Sequence, residues 1–408
     1  MVLCGDTIGI SIQDYTCTIS FIQNDNVEIL SSGEGRTCFT TAVTLDSDGC
    51  KYCNRYWNKS SPDKTVKHVF RLLGESIFSE IVEKERNESV IPICENDGKL
   101  AYHLEGIPPE YWSIESLASG VVSYLKDFCE KNTSCDVKNC VLSIPDHFTS
   151  TQKEALTKAV QKSGIEVLHV ELESICIGYF INREISFDSD LEPWRYKHTL
   201  IFNLNESDLS VSIIDFMENT PHLVLSHHSS AVKGEAMVQA IINHMELLVN
   251  RSYDADLLNG MIGEKSWQKE YGKLFEDVKD HLFFFSQVDD VEIDLPSTCR
   301  RMIRRNCKRL EKEPIEEIVL KRTDLLSILS EFFVSLSQII NACLAKAGLT
   351  VDDIYRVIPV GSFSQLSFIT NRLMSIFGKE RLFGKWYCDT CVAYGLGEYI
   401  LHSAFFVC

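Results

Sequence analysis

The pattern that most limits the fold of this chain is a run of three short strands joined by polar turns, which occurs twice. Near the start, Ile8 to Ile12, Gln13-Asp14, Thr16 to Ile22, Asn24-Asp25-Asn26 and Val27 to Leu30 alternate apolar runs with turn residues. The same succession returns at Leu200 to Leu204, Asn205-Glu206-Ser207-Asp208, Ser210 to Phe216, Glu218-Asn219 and His222 to Leu225. Two such meanders predict an internally duplicated chain.

Between the meanders lies a strand-helix-strand unit: Val141 to Ile144, a helix over Gln152 to Lys162 stopped by Gly164, and Ile165 to Val170. Such a crossover favours parallel pairing. A second unit comes near the end. There one long amphipathic helix is expected from Leu325 to Gly348, then strand Tyr355 to Val360, a turn at Gly361-Ser362, and a helix over Leu366 to Phe377. The expected class is therefore α/β, with two lobes, each a mixed sheet with crossover helices, facing each other across a cleft. The meander turns, Gln13-Asp14 and Asn205 to Asp208, point the search for chemistry to that cleft.

Composition narrows the setting. The chain has 408 residues, enough for more than one domain-sized unit, and its 58 acidic against 40 basic residues leave a net charge of −18. That balance argues against broad contact with DNA, RNA or an anionic membrane. Met1 to Asp6 carries no secretory pattern, and no stretch reads as a membrane span, so a cytoplasmic location with reduced thiols is expected.

Several motifs together resemble the seventy-kilodalton heat-shock chaperones, from Ile8 to about Leu401. Ile8-Gly9-Ile10 with Tyr15-Thr16-Cys17 is similar to that family's first phosphate segment, and Leu200-Ile201-Phe202 with Val211-Ser212-Ile213 to its second. Ser143-Ile144-Pro145-Asp146-His147-Phe148 resembles the interlobe segment, Val360-Gly361-Ser362 the adenosine turn, and Val392-Ala393-Tyr394-Gly395 the closing helix. The resemblance implies a duplicated actin-like ATPase fold. Lobe I would span 1–185, lobe II 186–385 with a cap around 225–320, and 386–408 a closing helix. No substrate-binding domain is expected to follow.

Departures from the family gather where its chemistry resides. Ser11 stands at the position of the first aspartate, Phe70 at the lysine, Asn203 at the second aspartate, Asp208 at a threonine and Ser210 at a further aspartate. Asn205-Glu206-Ser207 replaces three glycines, although close backbone approach to phosphate favours glycine. Loss of the lysine and the carboxylates removes the groups that stabilise phosphoryl transfer, so no catalytic residue is assigned. Gly9, Gln13, Tyr15, Glu173, Gly234, Glu276, Lys279, Gly361, Ser362 and Asp389 remain as candidate nucleotide contacts. ATP is then a weak or structural ligand, magnesium is left open, and Ser174 replaces a proline tied to the family's lobe-to-lobe switch. Glu276 and Lys279 read equally well as two solvated helix residues.

Within the family the pattern most resembles the ribosome-associated Ssz-type members, which implies a non-hydrolysing co-chaperone working with a J-domain protein on nascent chains. The alternatives are a weak ATPase in which Asp14, Glu206 and Asp208 hold magnesium, and a nucleotide-free protein-binding scaffold. A sugar kinase of the same fold is disfavoured because no aspartate base sits beside a glycine-rich turn.

Two side features complete the reading. Cys50/Cys53 and Cys388/Cys391 have the ligand count of a zinc site, but no knuckle turn accompanies them and ordinary thiols are expected. Arg300, Arg301, Arg304, Arg305 and Lys308 form a dense basic cluster. If helical it would offer one face to RNA or an acidic partner; a solvated hairpin loop is the favoured reading.

Overall fold

The computed structural model describes residues 6–33, 36–53, 62–187, 198–217, 220–253, 265–284, 288–310, 313–383 and 390–403. Both meanders form. The first consists of Thr7–Ile12, Thr16–Gln23 and Asn26–Ile29, paired antiparallel, and Thr7–Ile12 also runs parallel to Asn139–Ile144, which in turn pairs parallel with Glu166–Leu172. The second consists of His198–Leu204, Leu209–Met217 and Thr220–Ser229, again antiparallel, with Ile354–Val360 parallel to His198–Leu204. The duplication therefore extends to pairing direction: in both sheets the first meander strand is the junction between antiparallel and parallel halves.

Burial on both faces explains why these strands are apolar runs. Ile8, Ile10 and Ile12 face a core with Leu142 and Ile144, while Leu200, Phe202 and Leu204 join one with Val211 and Ile213. A third cluster joins the two sheets. It contains Val141, Ile201, Ile214, Ile358 and the apolar residues of the final helix, Cys391–His402. Gly9 belongs to this closure, because a β-carbon there would lie 2.3 Å from Ser20 Oγ and 3.1 Å from the Leu396 side chain. Its bare backbone lets the last helix seat on the first strand.

Two expectations are corrected. The long helix beginning at Leu325 is broken into Arg322–Ile328 and Ser330–Ala347, bent by 56°. Leu329 sits at the break with its side chain fully buried, so the core anchors the bend and the apolar periodicity continues through it. The basic cluster is a helix, Ser297–Leu310, rather than a hairpin loop. Cys299, Ile303 and Cys307, four residues apart, bury one stripe of it. The Glu270 carboxylate accepts hydrogen bonds from the Ser297 hydroxyl and the Thr298 amide at its start. Arg301 and Arg304 are exposed, and Arg304 pairs with Glu316. Among the described residues no single helix is long and apolar enough to cross a membrane.

Candidate functional site

The two meander turns meet across the cleft. They lie close enough for Asp208 of the second turn to act on the charge of Asp14 in the first. Burial raises the Asp14 pKa; Arg71, whose Nε lies 3.9 Å away, opposes this, while Asp208 adds to it. From the next position, Tyr15 donates its hydroxyl to Glu235 Oε1 at 2.5 Å, joining the first meander to the start of helix Gly234–Tyr253. The Tyr15 ring stands edge-on to His68, centroids 4.5 Å apart, and His68 Nδ1 is 2.8 Å from Glu85 Oε2.

Deeper in the cleft, the absence of the family's carboxylates is visible in the packing. Ser11 is buried between Ser143 and Thr18 in the sheet, and Phe70 is buried in a core with Val69, Leu72 and Leu73. No cation occupies the Phe70 position. Glu173 is buried, with Oε1 unpartnered and Oε2 3.5 Å from Asn203 Nδ2; the Asn203 carbonyl oxygen is unpartnered too. Burial, then Asp146, Asp208 and Asp14, push the Glu173 pKa well up, against a hydrogen bond from Gln13. Two orphaned oxygen acceptors beside mutually repelling carboxylates fit a hard divalent cation held through oxygens. They do not fit a triphosphate, because Glu206 and Asp208 line the turn and no glycine opens it.

The outer half is different in kind. Lys279 bonds to Glu206 and lies 3.6 Å from Glu276 Oε2; burial works against its charge, but these acids outweigh burial and raise its pKa. Lys67 is desolvated, which lowers its pKa, and faces Glu276, Glu206 and Glu235. Lys233 pairs with Glu235. Glu276 and Lys279 are thus half-buried members of a protein-only charge network, not free helix residues. Gly361 has a φ of +83°, and a β-carbon there would come within 2.6 Å of Asn203 Oδ1 and of the Leu204 carbonyl. Gly234 leaves space for the Phe363 ring, Ser210 pairs in register with Asn203 and His228, and Ser362 opens the short turn after Gly361. Asp389 and Cys388 lie outside the described residues. Cys53 is buried with Cys17 in the core of the first sheet, while Cys391 packs in the cluster that joins the sheets.

These contacts coincide with a family match. The model described as "Hsp70 protein" matches residues 7–397. The chain belongs to the Hsp70 family. The nucleotide-binding domain of that family has an actin-like ATPase fold, which the two duplicated sheets reproduce. A heat shock cognate HSP70 protein of Trypanosoma brucei brucei is 23% identical over 404 residues, covering 95% of this chain and 55% of that protein. Chaperone protein DnaK of Thermus thermophilus is 20% identical over 378 residues, 91% of this chain and 57% of that protein. Heat shock 70 kDa protein 14-B of Xenopus laevis is 24% identical over 196 residues, 47% of this chain and 37% of that protein. The chain thus spans about half the length, or less, of these Hsp70 relatives.

Sequence reasoning missed Lys67, His68, Arg71, Asp146 and Glu235. Asp146 accepts hydrogen bonds from the Ser174 amide (3.1 Å) and hydroxyl (2.9 Å), and from the Ser212 hydroxyl (2.6 Å) across the cleft. The signal was available. Lys67, His68 and Arg71 flank Phe70, and Asp146 follows the Pro145 of the interlobe segment. The Ser174 that replaces the family proline supplies two of Asp146's three donors.

Proposed function

We propose that this Hsp70-family chain is a co-chaperone that does not hydrolyse ATP and acts with a J-domain protein, in the cytoplasm and at the ribosome, on nascent chains. The observation that carries the reading is the joining of the lobes by their own side chains. Tyr15 reaches Glu235, and Asp146 reaches Ser212. The contact between the lobes is thus made by the protein's own side chains. Phosphoryl transfer needs positioned cations and carboxylates, and the positions of Ser11, Phe70, Asn203 and Ser210 supply none. Adenosine binding, if it occurs, would use Gly361, Ser362 and the Glu276–Lys279 pair, with little contribution from the phosphates.

The rival reading, magnesium held by Asp14, Glu206 and Asp208, loses Glu206 to Lys279 but keeps Asp14 and Asp208 acting on Glu173, whose Oε1 has no partner. Calorimetric titration of the purified chain with ATP, with and without magnesium, separates the two. Absent or weak, magnesium-independent binding with no phosphate release supports the co-chaperone reading. Tight, magnesium-dependent binding with turnover overturns it in favour of a weak ATPase. The ribosomal part is tested by co-sedimentation: ribosome association that Arg304→Glu weakens supports it, and no co-sedimentation rejects it.

A further inference from the structure

Where the lobes meet, two histidines outside the nucleotide positions converge on Asp208 of the second meander turn. His147 comes from the segment after strand Asn139–Ile144 in the first lobe; Asp208 and His228 come from the turn and the third meander strand of the second. His228 Nε2 lies 3.2 Å from Asp208 Oδ2, and the His147 and His228 rings stack with centroids 3.6 Å apart and planes 21° from parallel. One ligand atom from each residue lies within 4.8 Å of the others. The two histidines are separate from Ser11, Glu173 and Asn203, while Asp208 is shared with the acids around Glu173.

We propose that His147, Asp208 and His228 form a binding site for a transition-metal ion of the zinc class, and that the bound ion clamps the two lobes together. Two imidazoles and one carboxylate are ligands suited to such ions, whereas magnesium and calcium prefer all-oxygen sets. Zinc takes nitrogen ligands at about 2.0 Å in a tetrahedron, so bound ligand atoms sit roughly 3.3 Å apart, a contraction of at most about 1.5 Å from the present 4.8 Å limit. Binding turns the two rings out of their stack so that one nitrogen of each faces the ion. His147 is exposed, which leaves the site open to entry and leaves one coordination position for water or a partner's side chain. Because one ligand comes from the first lobe and two from the second, an ion held there favours the closed cleft by the part of its binding energy that His147 contributes.

Cobalt(II) titration of the full chain, reduced and chelator-treated and without nucleotide, tests this against the chain's many thiols. The expected result is one equivalent bound with visible d–d absorption, no thiolate charge-transfer band, and a raised melting midpoint. His147→Gln and His228→Gln should each weaken that binding at least about tenfold and abolish the midpoint shift. No binding, or binding with a thiolate band that both variants leave unchanged, overturns the site. Binding without a midpoint shift overturns the clamp. None of these readouts depends on whether ATP binds.

Discussion

The outer and inner halves of the cleft solve the same electrostatic problem in opposite ways. In the outer half, Lys67, Lys233 and Lys279 are set among Glu206, Glu235 and Glu276, so each buried acid faces a cation of the protein. In the inner half, burial and also Asp208 raise the pKa of both Asp14 and Glu173, with Arg71 near only the first, and two oxygen acceptors have no donor. An outer network so complete has internalised the counter-charge a ligand would bring. The inner half instead favours whatever brings positive charge to it, a proton or a cation.

The largest way to break the comparison is Lys279→Met. Removing one partner from a buried ion pair leaves the other uncompensated, at a typical cost of about 3–5 kcal/mol; with the Lys279 side chain 22% exposed, we expect about 3 kcal/mol. Chemical denaturation should show the loss, and adding Glu206→Gln should recover most of it. A Lys279→Met chain as stable as wild type would mean that the outer pairing is not structural.

Glu173→Gln sharpens the contrast with the opposite sign. The folded pKa of Glu173 lies well above its ordinary value of 4.5, so between the two values the folded chain holds a proton the unfolded chain has released. Its contribution is therefore most favourable below pH 4.5 and is lost as pH rises through the folded value. Glutamine removes the penalty, and about 2 kcal/mol of stabilisation at pH 7.5 is expected, vanishing near pH 4. Melting midpoints measured across that range in chelator check it. Equal midpoints at pH 7.5 would mean the inner acids are not in conflict.

The contrast also explains what was legible in advance. Strands such as Thr7–Ile12 and His198–Leu204 were readable because burial on both faces imposes an apolar run, and Gly361 because its positive φ demands glycine in the turn. The break at Leu329 was not, because a leucine buried at a bend has the same hydropathy as one buried in a helix. The loss of catalytic groups at Ser11, Phe70 and Asn203 was visible by position. What replaced them was hidden: Tyr15 and Glu235 are 220 residues apart, and only the folded cleft brings them together. Charge networks across lobes leave no periodic trace in a sequence.

The smallest change tests whether those interlobe contacts bar the nucleotide. Tyr15→Phe deletes the hydroxyl that bonds Glu235 while keeping the ring against His68. Glu235 retains Lys233, whose charge holds its pKa down despite burial, so no buried acid is left uncompensated. The cost should be about 1 kcal/mol, that of one hydrogen bond, read as a lower melting midpoint. ATP binding measured by calorimetry should not improve. Opening the lobes still leaves Glu206 and Asp208 facing the phosphates, and the repulsion lies in the turn, not in the latch. Tight ATP binding gained by Tyr15→Phe would reverse that assignment, making the outer contacts a removable gate over a working inner site.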